Sequence, residues 1–222
     1  MRAGNDRYGP HQAGHAVVGA IPWLPLAITV IVAMSRSWTM STLQAFIPTW
    51  YHELGYQPWF YGPLATTIVL ASAMGTVGSG SLADRYGRKA VLVGSLVLSV
   101  PVVWLFVAFP GPQAFVFGAL VGLLAASTHP LMLMIAQELM VGRAGMASGL
   151  ILGLGFISGA VGVPIMGTIA DHIGLSTALL IQVPVVVATI PVALFLPSES
   201  FLRRHGSAPA ETHAATAAAA GD

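Results

Sequence analysis

Arg36, His129 and Gln44 are the side chains of this sequence best suited to handle a polar solute, because each lies within a long apolar run. A guanidinium offers a permanent positive charge and a fork of donors to an anion. An imidazole titrates near neutral pH and suits a proton carrier, and a carboxamide adds a neutral donor and acceptor. A charge deep in an apolar helix is costly and by default marks a cavity or a partner. The other dense group is Gly80-Ser-Leu-Ala-Asp84-Arg85-Tyr-Gly87-Arg88-Lys89-Ala-Val-Leu92. Its basic side chains suit acidic groups or lipid phosphates, its glycines suit a tight turn and close approach, and Asp84 suits the positive end of a helix. Glu138 is a lesser, interfacial candidate. His11 and His15 have the spacing of a helical metal pair, but Gly9, Pro10 and Gly14 interrupt it, which favours a solvated linker.

These residues are set in 222 residues that are 55% hydrophobic and 8% charged, with a mean hydropathy of +0.79. Six nearly uncharged windows, Ala27–Trp50, Gly62–Ala83, Val91–Phe109, Ala114–Gln137, Ala147–Ala170 and Ser176–Leu196, are each long enough to cross a hydrocarbon core of roughly 30 Å. The pattern predicts an all-α polytopic membrane protein with six transmembrane helices; the short alternating segments of a strand barrel are not seen. The absence of cysteine excludes disulfides, thiolate zinc sites and iron–sulfur ligation. No G-x-S-x-G, H-E-x-x-H or cluster of intramembrane carboxylates is found, so an enzyme is not expected, nor is a metal or other cofactor. Met1–Ala20 has no apolar signal core, and the first span is expected to act as its own insertion signal.

The first window is the least apolar, and Arg36 falls about ten residues into it, roughly 15 Å deep. Pro48 is expected to kink or end that helix, and the rings of Trp50, Tyr51, Tyr56, Trp59, Phe60 and Tyr61 to mark a membrane–water interface. His129 lies at a similar depth in the fourth span, so Arg36 and His129 are expected to share a cavity; a structural His bonded to a neighbouring helix is the competing reading. In the fifth span Gly145, Gly149 and Gly153, with Gly155 and Gly159, have the four-residue spacing of close helix packing. Of the nine Lys and Arg, all but Arg36 fall in the two tails and the second and fourth loops, which with six spans share one side. Positive-inside bias places both termini and the Gly80 turn in the cytoplasm. The expected layout is a linker over 1–25, a six-helix domain over 26–197 and a disordered polar tail over 198–222.

Gly80-Ser-Leu-Ala-Asp-Arg-Tyr-Gly87 has an echo in Gly167-Thr-Ile-Ala-Asp-His-Ile-Gly174. One copy follows the second span and the other the fifth, so the chain divides into three-helix units over about 26–110 and 111–197. An odd number of spans inverts the second unit and puts its copy outside, where the Arg and Lys have been lost. Inverted three-plus-three repeats are a mark of secondary transporters.

Gly80–Leu92 resembles, throughout, the signature loop of the major facilitator superfamily, G-x-L-A-D-R-x-G-R-K-x-x-L. From about Leu26 to Ser198 the chain resembles the fosmidomycin-resistance type of efflux transporter. Ser35-Arg-Ser-Trp38, Phe46-Ile-Pro48, Ala136-Gln-Glu-Leu-Met140, Gly145-Met-Ala-Ser-Gly149 and Gly162-Val-Pro164 with Gly167–Gly174 carry that likeness. The resemblance implies twelve spans in two halves, of which this chain is the second, beginning in the linker between them. It implies an inner-membrane, proton-coupled antiporter that expels a small solute by alternating access. The solute that the resemblance implies is a drug or other anion, and fosmidomycin-like substrates carry a phosphonate that Arg36 would suit. It also implies that Gly80, Asp84, Arg85, Gly87, Arg88 and Lys89 form a conformational latch against the other half. The expected partners are the bilayer, an anionic small molecule, and either the missing first half or a second copy, with no nucleic acid. The alternative is a truncated or half-size subunit without independent transport, needing a partner half or self-assembly.

Overall fold

The computed structural model describes residues 22–197; the linker and tail expectations, with His11 and His15, lie outside the described residues. Eight helices follow in chain order: α1 (Trp23–Glu53), α2 (Pro58–Tyr86), α3 (Arg88–Ala108), α4 (Ala114–Ala126), α5 (Thr128–Leu139), α6 (Ala144–Ile173), α7 (Leu175–Leu180) and α8 (Gln182–Leu194). They make six crossings long and apolar enough for a membrane, because α4 with α5 and α7 with α8 each form one span. Both interruptions have the same cause. Pro130 and Pro184 have no N–H for the carbonyls of Ala126 and Leu180, and the helices break three residues earlier, at Ser127 and Ile181. Those two residues keep helical angles (φ −60° and −61°), so each span continues in nearly its original direction.

Of the two expectations for Pro48, a kink or an end of the helix, the second is excluded. Pro48 lies inside α1 and does not end it; the helix runs on to Glu53. At about 46 Å it outreaches a bilayer core of roughly 30 Å and must tilt or project. Of the six rings near its end, Trp50 and Tyr51 are core, and Tyr56, Phe60 and Tyr61 are partly buried against them. Trp50 and Tyr51 are 1% and 0% exposed and pack edge-on at 4.9 Å, while Trp59 is 75% exposed. The Trp50 indole donates to Ser176 Oγ (2.7 Å) and the Tyr56 hydroxyl to the Pro110 carbonyl (2.6 Å), which is how buried rings meet their polar ends.

The Gly80–Leu92 stretch is far tighter than a loop. Only Gly87 lies outside a helix: Asp84, Arg85 and Tyr86 close α2, and Arg88 and Lys89 open α3. Asp84 therefore sits at the negative end of its own helix, and no side chain caps α3. Gly87 has φ +86° and ψ 142°, a conformation closed to other residues. Gly174 repeats it at φ +85° and ψ 149°. The Gly87 N–H donates to Ala83 O (2.9 Å) and its carbonyl accepts from Val91 (3.1 Å). At Gly174 the matching bonds run to Ala170 (2.8 Å) and from Ala178 (3.0 Å). The two copies share backbone geometry as well as sequence.

The bundle is held by two crossings related by the same repeat, α1 on α6 and α2 on α4. A Cβ at Gly75 would lie 2.2 Å from Leu123 O, and one at Gly162 2.8 Å from the Trp38 ring; these two glycines occupy equivalent places in the repeats. Apolar packing divides into one cluster around Leu92, Leu96, Leu131 and Ile151 near the basic end and another around Leu43, Leu64, Phe106 and Leu179. Between them runs a polar belt: Arg36, Ser37, Ser95, Ser99, Ser127, Thr128 and Ser158 are all buried there.

Candidate functional site

Where α1, α5 and α6 meet, the belt opens into a cavity of about 450 Å³ lined by Ser37, Ser41, Gln44, His129, Leu152 and Phe156 among others. Each polar group arrives by helical register. Ser37, Ser41 and Gln44 follow at intervals of four and three along one face of α1. His129 is carried in by the first turn of α5, just past the break at Ser127. Its Nε2 lies 3.5 Å from Ser37 Oγ. A hydroxyl can accept from or donate to an imidazole, so this contact survives in either protonation state of the ring. The cavity can hold a small solute with hydrogen-bonding groups against serine hydroxyls and an amide, with one titratable group in the wall.

Arg36 is 4% exposed and does not line that cavity. Its guanidinium turns the other way, donating to Leu124 O (3.2 Å) and, at the limit of a hydrogen bond, to Ser99 Oγ (3.5 Å). Its Nε has no partner. The expectation of one cavity shared by Arg36 and His129 is thus corrected: adjacent residues on a helix point about 100° apart, so Ser37 faces His129 while Arg36 faces α3 and α4. Gln44 does reach the cavity.

The charged turn is divided in its use. Arg88 forms an ion pair with Glu138, tying α3 to the end of α5, and Lys89 Nζ donates to Leu196 O (2.9 Å) beyond the end of α8. Asp84 and Arg85 are exposed; the Arg85 guanidinium stands 5.6 Å from the centroid of the Tyr86 ring. In α6, Gly155 and Gly159 face Ser37 and Ser41, at 2.9 and 2.3 Å from the position of a Cβ. Gly145, Gly149 and Gly153 have no such neighbour within 4 Å. The packed row of α6 runs instead through Gly155, Gly159 and Gly162, because that stripe is the one turned toward α1. Sequence reasoning missed Ser37, Ser72, Ser99 and the Leu124 carbonyl. The repeat was the usable signal for Gly75 and Gly162. Among the described residues no group of His, Asp and Glu is placed to hold a metal ion.

The family profile of the Major Facilitator Superfamily matches residues 27–219. The chain is 38% identical over 140 residues to the MFS-type transporter YfnC of Bacillus subtilis, covering 61% of this chain and 33% of that protein. It is 38% identical over 104 residues to the fosmidomycin resistance protein of Escherichia coli, covering 47% and 26%. Against the multidrug resistance protein MdtG of Proteus mirabilis it is 31% identical over 169 residues, covering 72% and 42%. The matches span between about a quarter and two-fifths of these relatives' lengths.

Proposed function

Because the chain belongs to the major facilitator superfamily, a family of transporters rather than enzymes, we propose that it supplies one six-helix half of a secondary active exporter. The observation that carries this reading is the cavity between the spans, with hydroxyls, an amide and one imidazole on its wall. In this reading His129 takes up and releases the coupling proton, and Ser37, Ser41 and Gln44 hold the solute. Exchange of proton for solute would run by alternating access. Efflux is favoured by the printed names of the relatives in Escherichia coli and Proteus mirabilis. The basic turn and both chain ends would lie in the cytoplasm, in the inner membrane.

Asp84 is the member of the turn we assign to the latch against another half, since Arg88 and Lys89 are engaged within this one and Arg85 lies over the Tyr86 ring. Arg36 we assign to positioning the α4–α5 junction and not to binding the solute. The cavity is open on one side and Gly145, Gly149 and Gly153 are uncovered. This supports a second six-helix unit, either a first half or another copy, as the partner that completes the site.

The test is transport by the purified chain in proteoliposomes, alone and co-reconstituted with a six-span first half, with fosmidomycin as solute and an imposed pH gradient. Gradient-driven fosmidomycin movement that is abolished by His129→Gln, and reduced by Asp84→Asn with insertion intact, is the expected result. Equal movement by wild type and His129→Gln would remove the proton-carrier assignment. Unaltered movement by Asp84→Asn would remove the latch.

A further inference from the structure

A second cavity, of about 580 Å³, lies between α2, α3 and the α4–α5 junction and shares no lining residue with the His129 cavity. Its volume falls within the roughly 300–1,000 Å³ usual for small-molecule sites, but its chemistry is unlike the first. The hydroxyls in its wall are already committed to helix carbonyls: Ser79 to Thr76 O (2.7 Å), Ser95 to Leu92 O (2.9 Å) and Ser127 to Leu124 O (2.8 Å). The remaining wall is apolar save for Tyr86 at one end. Room is made by Gly78 and Gly94, neither of which has an atom within 4 Å of where a Cβ would stand.

The groove also has a direction. Its α2 wall runs from Met74 to Tyr86, twelve residues or about 18 Å of helix. That is close to half of a hydrocarbon core of roughly 30 Å, the depth of one leaflet. The end that reaches the surface is marked by Tyr86, 64% exposed, and by Arg85 beside its ring. Arg85 is exposed and forms no ion pair among the described residues. Asp84 lies about 200° round the helix from Leu82 and Tyr86, so the carboxylate of this turn faces away from the groove.

We infer that this groove is a binding site for an anionic phospholipid, with one acyl chain running along α2 between Gly78 and Gly94 and the headgroup phosphate on Arg85. The apolar wall, whose serine hydroxyls are already bonded to helix carbonyls, disfavours a polar solute. The length matches a chain confined to one leaflet, and an exposed guanidinium without an ion pair among the described residues stands at the end where a phosphate would be. That the leaflet is the cytoplasmic one rests on the orientation proposed above.

Native mass spectrometry of the purified chain, with dioleoylphosphatidylglycerol and dioleoylphosphatidylcholine added in detergent, tests the site without reference to transport or orientation. Wild type should retain phosphatidylglycerol about fivefold more tightly, as expected for a contact worth about 1 kcal/mol per basic residue at a membrane surface. Arg85→Gln should abolish that preference and still retain a lipid. Gly94→Leu, whose Cβ would stand in open space and whose side chain would occupy the groove, should reduce retention of both lipids. Wild-type retention by Gly94→Leu would overturn the site, and an undiminished preference in Arg85→Gln would overturn the headgroup contact. If Gly94→Leu instead changed only the oligomeric mass, the groove would be a protein interface and the lipid assignment would fall. A chain that fails to transport fosmidomycin but binds lipid in this pattern leaves the inference standing.

Discussion

Arg36→Met should leave the fold about as stable as the wild type or more so. The guanidinium is buried at mid-span, and among the described residues it forms no ion pair. Removing one member of a buried ion pair is damaging because a charge is left behind, and here none would be. The two acceptors also keep their other partners. Ser99 Oγ donates to Ser95 O, and Leu124 O accepts from Ser127 Oγ at 2.8 Å. The substitution therefore forfeits one sound charged hydrogen bond, worth about 1.5–3 kcal/mol, and a weaker contact with Ser99 at 3.5 Å. Against that, a central arginine costs about 2.5–3.5 kcal/mol in a membrane helix on the insertion scale. Methionine fills a comparable space with a flexible apolar chain. The balance runs from about 0.5 kcal/mol against methionine to about 2 kcal/mol in its favour. For a domain of this size each kcal/mol moves the midpoint about 2–4 °C, so Tm should fall by no more than about 2 °C or rise by up to about 8 °C. Thermal unfolding in detergent, followed by tryptophan fluorescence, reads it directly, with Trp38 and Trp50 on the same helix. A fall of more than a few degrees would refute the reasoning and show that the guanidinium holds α3 and α4 in place. If Arg36 positions the junction that carries His129, the same variant should lose proton-coupled transport despite its stability, the trade often met at functional sites.

Gly75→Ala should lower Tm by about 2–12 °C, since its Cβ would meet backbone atoms of Leu123 and overpacking of this kind costs about 1–3 kcal/mol; Gly78→Ala, three residues on with open space around it, should be neutral or stabilising, and equal Tm values would contradict the packing. Gly87→Ala and Gly174→Ala should each lose about 1–3 kcal/mol from forcing a side chain to a positive φ, and a loss at only one of them would show that the shared geometry is not shared energetically.

The six spans were legible because hydropathy over about 20 residues reports directly on what a bilayer will accept. The repeat was legible because Gly87 and Gly174 need a conformation only glycine takes freely. His129 could be singled out as an ionisable residue inside an apolar run, and it does line a cavity. What Arg36 faces could not be read, since its partners are a serine 63 residues away and a backbone carbonyl 88 residues away. A carbonyl leaves no trace in residue identity. The same limit explains α6. Spacing alone cannot say which glycine stripe faces a neighbour, because the rotation of the helix is set by contacts such as Ser158 Oγ to Met34 O (2.9 Å). The packing of the aromatic group is hidden for a related reason. A ring near a span end suits an interface or a core equally well until Phe106 and Ser176 are known to stand beside it.

The charged turn acquires its sense from its twin. At the basic end, Arg88 and Glu138 join the start of α3 to the end of α5. At the opposite end, Trp50 and Ser176 join the end of α1 to the start of α7 through a neutral hydrogen bond. By the repeat, Trp50 and Ser176 correspond to Gln137 and Lys89, the immediate neighbours of Glu138 and Arg88. One joint is thus built twice, with an ion pair on the basic side and without charge on the other. Each joint sits beside one of the apolar clusters, so both ends of the bundle are tied and filled. The middle is not. There the spans meet through glycines, serine hydroxyls and a lone buried cation, and two spans are broken by proline within the same stretch. The break at Ser127 stands two residues before His129, so a change in that ring's protonation would act beside an interrupted helix.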